Sequence, residues 1–202
     1  TEERQAITQR LAHEGIETDT PIVVIHPGTG AAVKLWRVEA WSAIANALPA
    51  LVTSPEPVRI ILTGSKSEQP LLAEIAQGIT NPPLLLTDLT VGQLAALLQR
   101  AKMVLGVDNG PLHLAVAQNT PTLHIFGPTD PRIFGPWGST QRHVVLASTH
   151  RCPGCPCIPC GRLDFSPEEL PQHPCVRLIT EQQVINALSE IIQSAAPAPG
   201  YP

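Results

Sequence analysis

Residues 104–131 read VLGVDNGPLHLAVAQNTPTLHIFGPTDP, and this stretch carries the residues best suited to chemistry. An apolar strand ends in Asp108-Asn109-Gly110, and Pro111 opens a helix directly behind it. Proline suits a first helical turn because its missing N–H would be unpaired there anyway. Asp108 or Asn109 offers a side-chain oxygen as the helix cap, and Gly110 lets the backbone turn and a ligand approach closely. His113 falls in the first turn, where free N–H groups and the helix dipole favour an anion. A second loop, Gly127-Pro128-Thr129-Asp130-Pro131, follows the next strand and is expected at the same sheet edge. Two such loops side by side predict a site for a phosphorylated ligand.

The elements that must position these loops follow from apolar periodicity. Short apolar runs at 22–25, 58–62, 84–86, 103–107, 122–126 and 143–146 read as strands. Between them, amphipathic patterns at 37–48, 67–78 and 90–100 read as helices, beside the helix that opens at Pro111, with Pro49 to Pro57 as a connector. Residues 2–15 form a helix ended by Gly15. Thr90-Val91-Gly92-Gln93 and Thr180-Glu181-Gln182-Gln183 match capping boxes, and Ser166-Pro167-Glu168-Glu169 opens one helical turn. Strands alternating with helices imply an α/β, Rossmann-like, doubly wound parallel sheet. Its ligands bind outside the C-terminal ends of the strands. That rule sets residues 26–34, 63–68, 108–113 and 127–130 on one rim. The expected organisation is a lead-in helix and linker at 1–20, a Rossmann-like domain at 21–194 with a cysteine-rich insert at 151–175, and a disordered tail at 195–202.

Composition narrows the function. The chain has 202 residues, 43% of them apolar, enough for one core, but no apolar run long enough to span a membrane. Net charge is −4, with no basic cluster, which argues against nucleic acid as a partner. Residues 1–20 are polar and charged, unlike a signal peptide, and a cytoplasmic location is expected. The start at Thr1 leads us to expect a piece of a longer protein.

Three common chemistries fail on their residues. Gly28-Thr29-Gly30 follows a strand, but Val33 stands where a dinucleotide fingerprint needs its third glycine, and Thr63-Gly64 ends the second strand without an acidic residue. No glycine-lysine-serine/threonine run forms a P-loop, and no Gly-x-Ser-x-Gly elbow marks a serine hydrolase. Lys34, in the first rim loop, can neutralise a diphosphate as a point charge or simply be solvated. Glu68 can accept ribose hydroxyls or stabilise its helix start. Asp108 can be a cap alone, and Asp130 can merely hold its own turn. His26, ending a buried strand, reads as a core histidine.

Taken together, the chain resembles glycosyltransferase family 9, the lipopolysaccharide heptosyltransferases. The resemblance rests on His26-Pro27-Gly28, Lys34-Leu35-Trp36, Leu62-Thr63-Gly64, the run Asp108-Asn109-Gly110-Pro111-Leu112-His113-Leu114-Ala115, and Phe126-Gly127-Pro128-Thr129-Asp130-Pro131. It implies the C-terminal, donor-binding half of a two-domain GT-B fold and an inverting transfer that requires no cofactor. The implied donor is a nucleotide-diphosphate sugar of the ADP-heptose type, and the acceptor a lipopolysaccharide or similar glycolipid. Thr29, Lys34, Glu68, Asp108, Asn109, Gly110 and His113 are the implied donor-binding residues. The catalytic base is expected in an N-terminal acceptor domain that this chain lacks, which would also carry any attachment to the inner membrane face. Asn109 stands where Thr or Ser is usual, and Arg37 where Pro is usual. A stand-alone nucleotide-sugar-binding module without transfer activity is the alternative.

Cys152, Cys155, Cys157, Cys160 and Cys175 form a separate constellation. C-x2-C-x-C-x2-C suits a structural zinc that pins a loop too poor in apolar residues to fold alone. An iron–sulfur cluster lacks a standard spacing here. Free thiols or a disulfide are the plain alternative, and spacing does not say which four of the five would ligate.

Overall fold

The computed structural model describes residues 2–52 and 54–195. Helices α1 (Glu2–His13), α2 (Val38–Leu51), α3 (Gln69–Gln77), α4 (Val91–Arg100), α5 (Gly110–Ala117), α6 (Pro131–Phe134) and α7 (Glu181–Ala195) alternate with six strands. These are β1 (Ile22–His26), β2 (Arg59–Thr63), β3 (Leu84–Leu86), β4 (Met103–Val107), β5 (Thr122–Phe126) and β6 (His143–Ala147). All pair in parallel in the order β3-β2-β1-β4-β5-β6. The order reverses between β1 and β4, so the loops leaving those two strands part around a crevice at their C-terminal ends.

The two-residue period of the strands divides the core into two layers. Val23, Ile25, Leu62, Leu105 and Ile125 face α2, α3 and α7. Ile22, Val24, Ile61 and Val104 face α1, α4 and α5. Every residue of β1, β4 and β5 is buried, as expected of strands covered on both faces. Ile7 and Leu11 of α1 are buried in the second layer, so the lead-in helix is part of the sheet's cover.

Helix ends follow their side chains. Thr90 Oγ1 accepts from Gln93 N–H at 3.1 Å while Gln93 Oε1 accepts from Thr90 N–H at 3.1 Å, the reciprocal capping box expected there. Thr180 and Gln183 repeat it at α7. One helix outlasts its expectation: α2 continues through Pro49 to Leu51 instead of stopping at Leu48. Pro49 sits in the last turn, where it removes one hydrogen bond and the packing of the preceding turns holds the helix. The insert at 151–175 is irregular apart from turns at Cys152–Cys155 and after Ser166 and a 3-10 turn at Leu170–Gln172. The tail expected from residue 195 lies, beyond Ala195, outside the described residues. No helix among them is long and apolar enough to cross a membrane.

Three histidines serve the core. His26 Nδ1 lies 2.9 Å from Thr63 Oγ1 across β1 and β2. His124 Nε2 and His143 Nδ1 share Thr122 Oγ1, at 2.9 and 3.0 Å. Burial disfavours their charged forms, lowering His26 to about 4 and His124 to about 3. Both values lie below the unfolded value of 6.5. Between pH 6.5 and 4 the unfolded chain therefore binds more protons than the folded one, and stability falls as pH falls. Each histidine should cost on the order of 3 kcal/mol by pH 4. Urea denaturation at pH 7 and pH 5 should show the loss, and His124→Asn should flatten the slope; an unchanged slope would show that His124 charges freely.

Candidate functional site

β1 ends in His26-Pro27-Gly28, and a loop carries the chain to a 3-10 turn at Ala32–Lys34. Trp36 fixes that turn from behind. Its Nε1–H donates to Ile179 O at 2.9 Å, and its ring meets Trp41 edge-on with centroids 4.9 Å apart. Arg37 strengthens the same anchor, donating from Nε to Arg177 O at 2.9 Å and pairing with Glu181 at 3.0 Å. Arg37 is thus a clamp between the first rim loop and the start of α7.

With its stem held, Lys34 reaches across the crevice to the loop after β4. Its Nζ donates to Asp108 O at 2.8 Å and to Asp108 Oδ2 at 3.2 Å. The same Oδ2 accepts Thr129 Oγ1–H at 2.7 Å from the loop after β5. One carboxylate therefore ties together the loops of three adjacent strands. Only 14% of the lysine side chain and 9% of the aspartate side chain are exposed, so the attraction is little screened by water.

The sequence left the helix cap open between Asp108 and Asn109. Asn109 provides it, with Oδ1 accepting from Leu112 N–H at 3.1 Å. Its Nδ2 donates back to Gly28 O at 2.8 Å and His26 O at 3.3 Å, so one amide caps α5 and closes the crevice floor. His113 follows in the first turn, half-buried, with Nε2 4.0 Å from Asp108 Oδ1.

Of the other candidates, Gly110 is exposed at the mouth of the crevice as the first residue of α5. Thr29 lies on the first loop, and its Oγ1 is buried without a hydrogen-bond partner among the described residues. Glu68 serves its own helix start: Oε2 accepts Ser65 N–H at 2.7 Å and Ser65 Oγ–H at 2.8 Å. It nevertheless stands on the rim, so close over Gly28 that a side chain there would collide with its carboxylate. Asp130 holds its own turn, accepting Arg132 N–H at 2.9 Å and pairing with the Arg132 guanidinium, which lowers its pKa. Thr129 is the partner that the sequence reading missed; its signal was its place between Pro128 and Asp130 in the second rim loop.

A cleft of about 690 Å³ lies at the opposite, N-terminal end of the strands, lined by Asn46, Arg59, Thr80 and Asn81 among others. It brings one charged group and no convergent set of polar ones. Another, about 580 Å³, opens beside α5 between His113, Val116, Trp137 and His143.

All five cysteines are free thiols. Cys157 is exposed and donates its S–H to Pro159 O at 3.2 Å, whereas Cys152 and Cys175 are buried. Among the described residues, no group of three or more His, Cys, Asp or Glu side chains is placed to hold a metal ion, unlike the zinc site expected of the cysteines.

Comparisons with known proteins bear on the family and the fold. The family described as glycosyltransferase family 9 (heptosyltransferase) matches residues 2–156. Lipopolysaccharide heptosyltransferase 3 of Escherichia coli is 34% identical over 137 residues, which cover 66% of this chain and 38% of that protein. The chain thus spans little more than a third of that relative's length. A family 9 glycosyl transferase of Veillonella parvula superposes with a TM-score of 0.78 at 18% identity, over 96% of this chain and 52% of its own. The E. coli ADP-heptose heptosyltransferase II superposes at 0.70 and 19% identity, with the same coverages. At those identities the likeness speaks for the fold. The chain belongs to glycosyltransferase family 9.

Removing the shared charge tests the geometry. Asp108→Asn would leave Lys34 largely buried without its counter-charge and should lower stability by about 2–4 kcal/mol in urea melts. A loss no larger than that of Asp130→Asn would mean that Asp108 does not hold the three loops.

Proposed function

We propose that this chain is the donor-binding part of a glycosyltransferase that moves a heptose-type sugar from a nucleotide diphosphate to a lipopolysaccharide-type acceptor. The observation that carries the reading is the convergence of Lys34, Asn109, His113 and the α5 N-terminus at the point where the strand order reverses. Helix N-termini favour anions through their free N–H groups and dipole. Lys34 spends two contacts on Asp108, and its ammonium has three protons to give. A diphosphate oxygen would take the third. The unpartnered Thr29 hydroxyl would gain an acceptor in the same ligand.

In such a site the chain's work is electrostatic. As the sugar leaves, negative charge grows on the diphosphate, and fixed N–H donors with a half-desolvated ammonium stabilise it without reorganising. No cofactor is needed for that step. His113, beside the same carboxylate, would contact the diphosphate or the sugar. Deprotonation of the acceptor requires a base, which we place in the remainder of the protein. The relatives are more than twice this chain's matched length, consistent with an acceptor domain outside it. The donor is read as ADP-heptose because the relatives that this chain is similar to are named for heptose transfer.

Calorimetric titration with ADP, UDP and GDP tests the reading. ADP should bind selectively, and Lys34→Ala and His113→Ala should each weaken it about tenfold, the worth of one charge-assisted hydrogen bond. Equal binding of all three nucleotides, or ADP affinity indifferent to both substitutions, would contradict it.

A further inference from the structure

Leu112 and Ala115 pack α5 into the second core layer. His113, Val116 and Ala117, at i, i+3 and i+4, share another face of the helix. That face lines the open groove of about 580 Å³, together with Trp137, Ser139 and His143. The volume falls within the range of small-molecule sites. The segment opposite α5 is held in place by its backbone. Gly138, at φ +91°, turns the chain between Trp137 and Ser139. Ser139 O accepts N–H from Arg142 at 3.0 Å and from His143 at 2.9 Å. Arg142 Nε donates to Asn119 O at 2.7 Å, which ties this segment to the end of α5.

The lining suits a sugar chain. Trp137 is 85% exposed, whereas Trp36 and Trp41 are buried. An indole face carries negative charge density, so it attracts the slightly positive C–H face of a saccharide ring and leaves the ring's hydroxyls to polar partners. Such partners surround Trp137. Ser139 and Asn119 are exposed in the groove, and their side-chain hydroxyl and amide bind no other described residue. His143 Nδ1 lies 3.0 Å from Thr122 Oγ1, which leaves Nε2 as the ring's polar atom for a ligand. His113 lines the groove and also stands 4.0 Å from Asp108 Oδ1 at the crevice. The groove therefore adjoins the proposed diphosphate site. It leads away along α5 for about one helical turn to Ala117, and past it to Asn119.

We propose that this groove binds a short stretch of the acceptor's sugar chain, stacked on Trp137, with the end nearest His113 directed toward the crevice. The proposal rests on the reading of the chain as part of a glycosyltransferase with a lipopolysaccharide-type acceptor. A donor of the ADP-heptose type carries a single sugar, which would occupy only the end of the groove beside His113. The part from Val116 to Asn119 lies beyond that ring's reach from the α5 N-terminus. An acyl chain would satisfy Val116, Ala117 and the indole but leave the hydroxyl, amide and imidazole groups without partners. A glycan serves both sets. No bond changes in the groove; it holds and orients the acceptor while the transfer takes place at the crevice.

Trp137 is its own reporter, because the other two tryptophans are buried. The test is titration of the chain with lipopolysaccharide core oligosaccharide freed of its lipid, followed by tryptophan fluorescence and amide NMR. Emission should shift to the blue and saturate, and the Trp137 indole and Ser139 amide resonances should move together. Followed at the Ser139 amide, Trp137→Ala should weaken binding roughly tenfold, and Trp137→Tyr should restore most of it. A Trp137 indifferent to the oligosaccharide, or equal affinity in Trp137→Ala, would overturn the proposal. So would a response to ADP-heptose that the oligosaccharide does not reproduce, which would give the groove to the donor's sugar. A response to phospholipid vesicles alone would give it to acyl chains and overturn it as well. Titration of the same chain with ADP keeps the two readings apart. Oligosaccharide binding without nucleotide binding would strike the donor reading alone, and ADP binding with a silent Trp137 would strike the groove alone.

Discussion

The Asp108 carboxylate is the constraint on which the candidate site depends. Three loops leave adjacent parallel strands and would diverge, since nothing in a parallel sheet joins its own C-terminal ends. Asp108 draws them together by accepting Lys34 from the loop after β1 and Thr129 from the loop after β5. Burial raises the stakes. Desolvating two charges costs several kcal/mol, and their attraction repays it only when each remaining lone pair and proton is served. Here the lysine is served twice by Asp108, and the carboxylate receives a second donor in Thr129. Asn109 completes the arrangement from the next position by binding the β1 loop while capping α5.

The same arrangement prepares the crevice for an anion. A lone lysine would swing with its long side chain and lose much of a phosphate contact to entropy. Lys34 is held at the crevice by Asp108 while Trp36 anchors its backbone, so less freedom remains to be lost on binding. The helix N-terminus behind Gly110 adds donors fixed by the backbone itself. What the chain contributes to the proposed transfer is therefore position and field, and the proton chemistry falls to the rest of the protein.

Much of the fold was legible because the relevant signals are local. β4 and β5 were bounded by apolar runs ending at glycine or aspartate, and α4 by its Thr90–Gln93 box. Their packing on a parallel sheet followed from strict alternation. The rim loops were likewise legible from glycine and proline placement. The role of Asp108 was not, because a carboxylate beside a helix start reads as a cap until Lys34, seventy-four positions away, is brought to it. Thr129 was hidden for the same reason. Glu68 offered two readings; the structure shows its capping contacts and also its seat over Gly28, which no spacing could reveal. Pro49 misled in the opposite sense, as a local breaker overridden by the tertiary packing of α2.

The most direct measurement of the central claim is a backbone amide NMR titration of the chain with ADP. Shifts concentrated at Thr29, Lys34 and the Gly110–His113 amides would place the anion at the crevice that Asp108 holds together. Shifts centred instead on Arg59, Thr80 and Asn81, at the cleft on the opposite end of the strands, would contradict it.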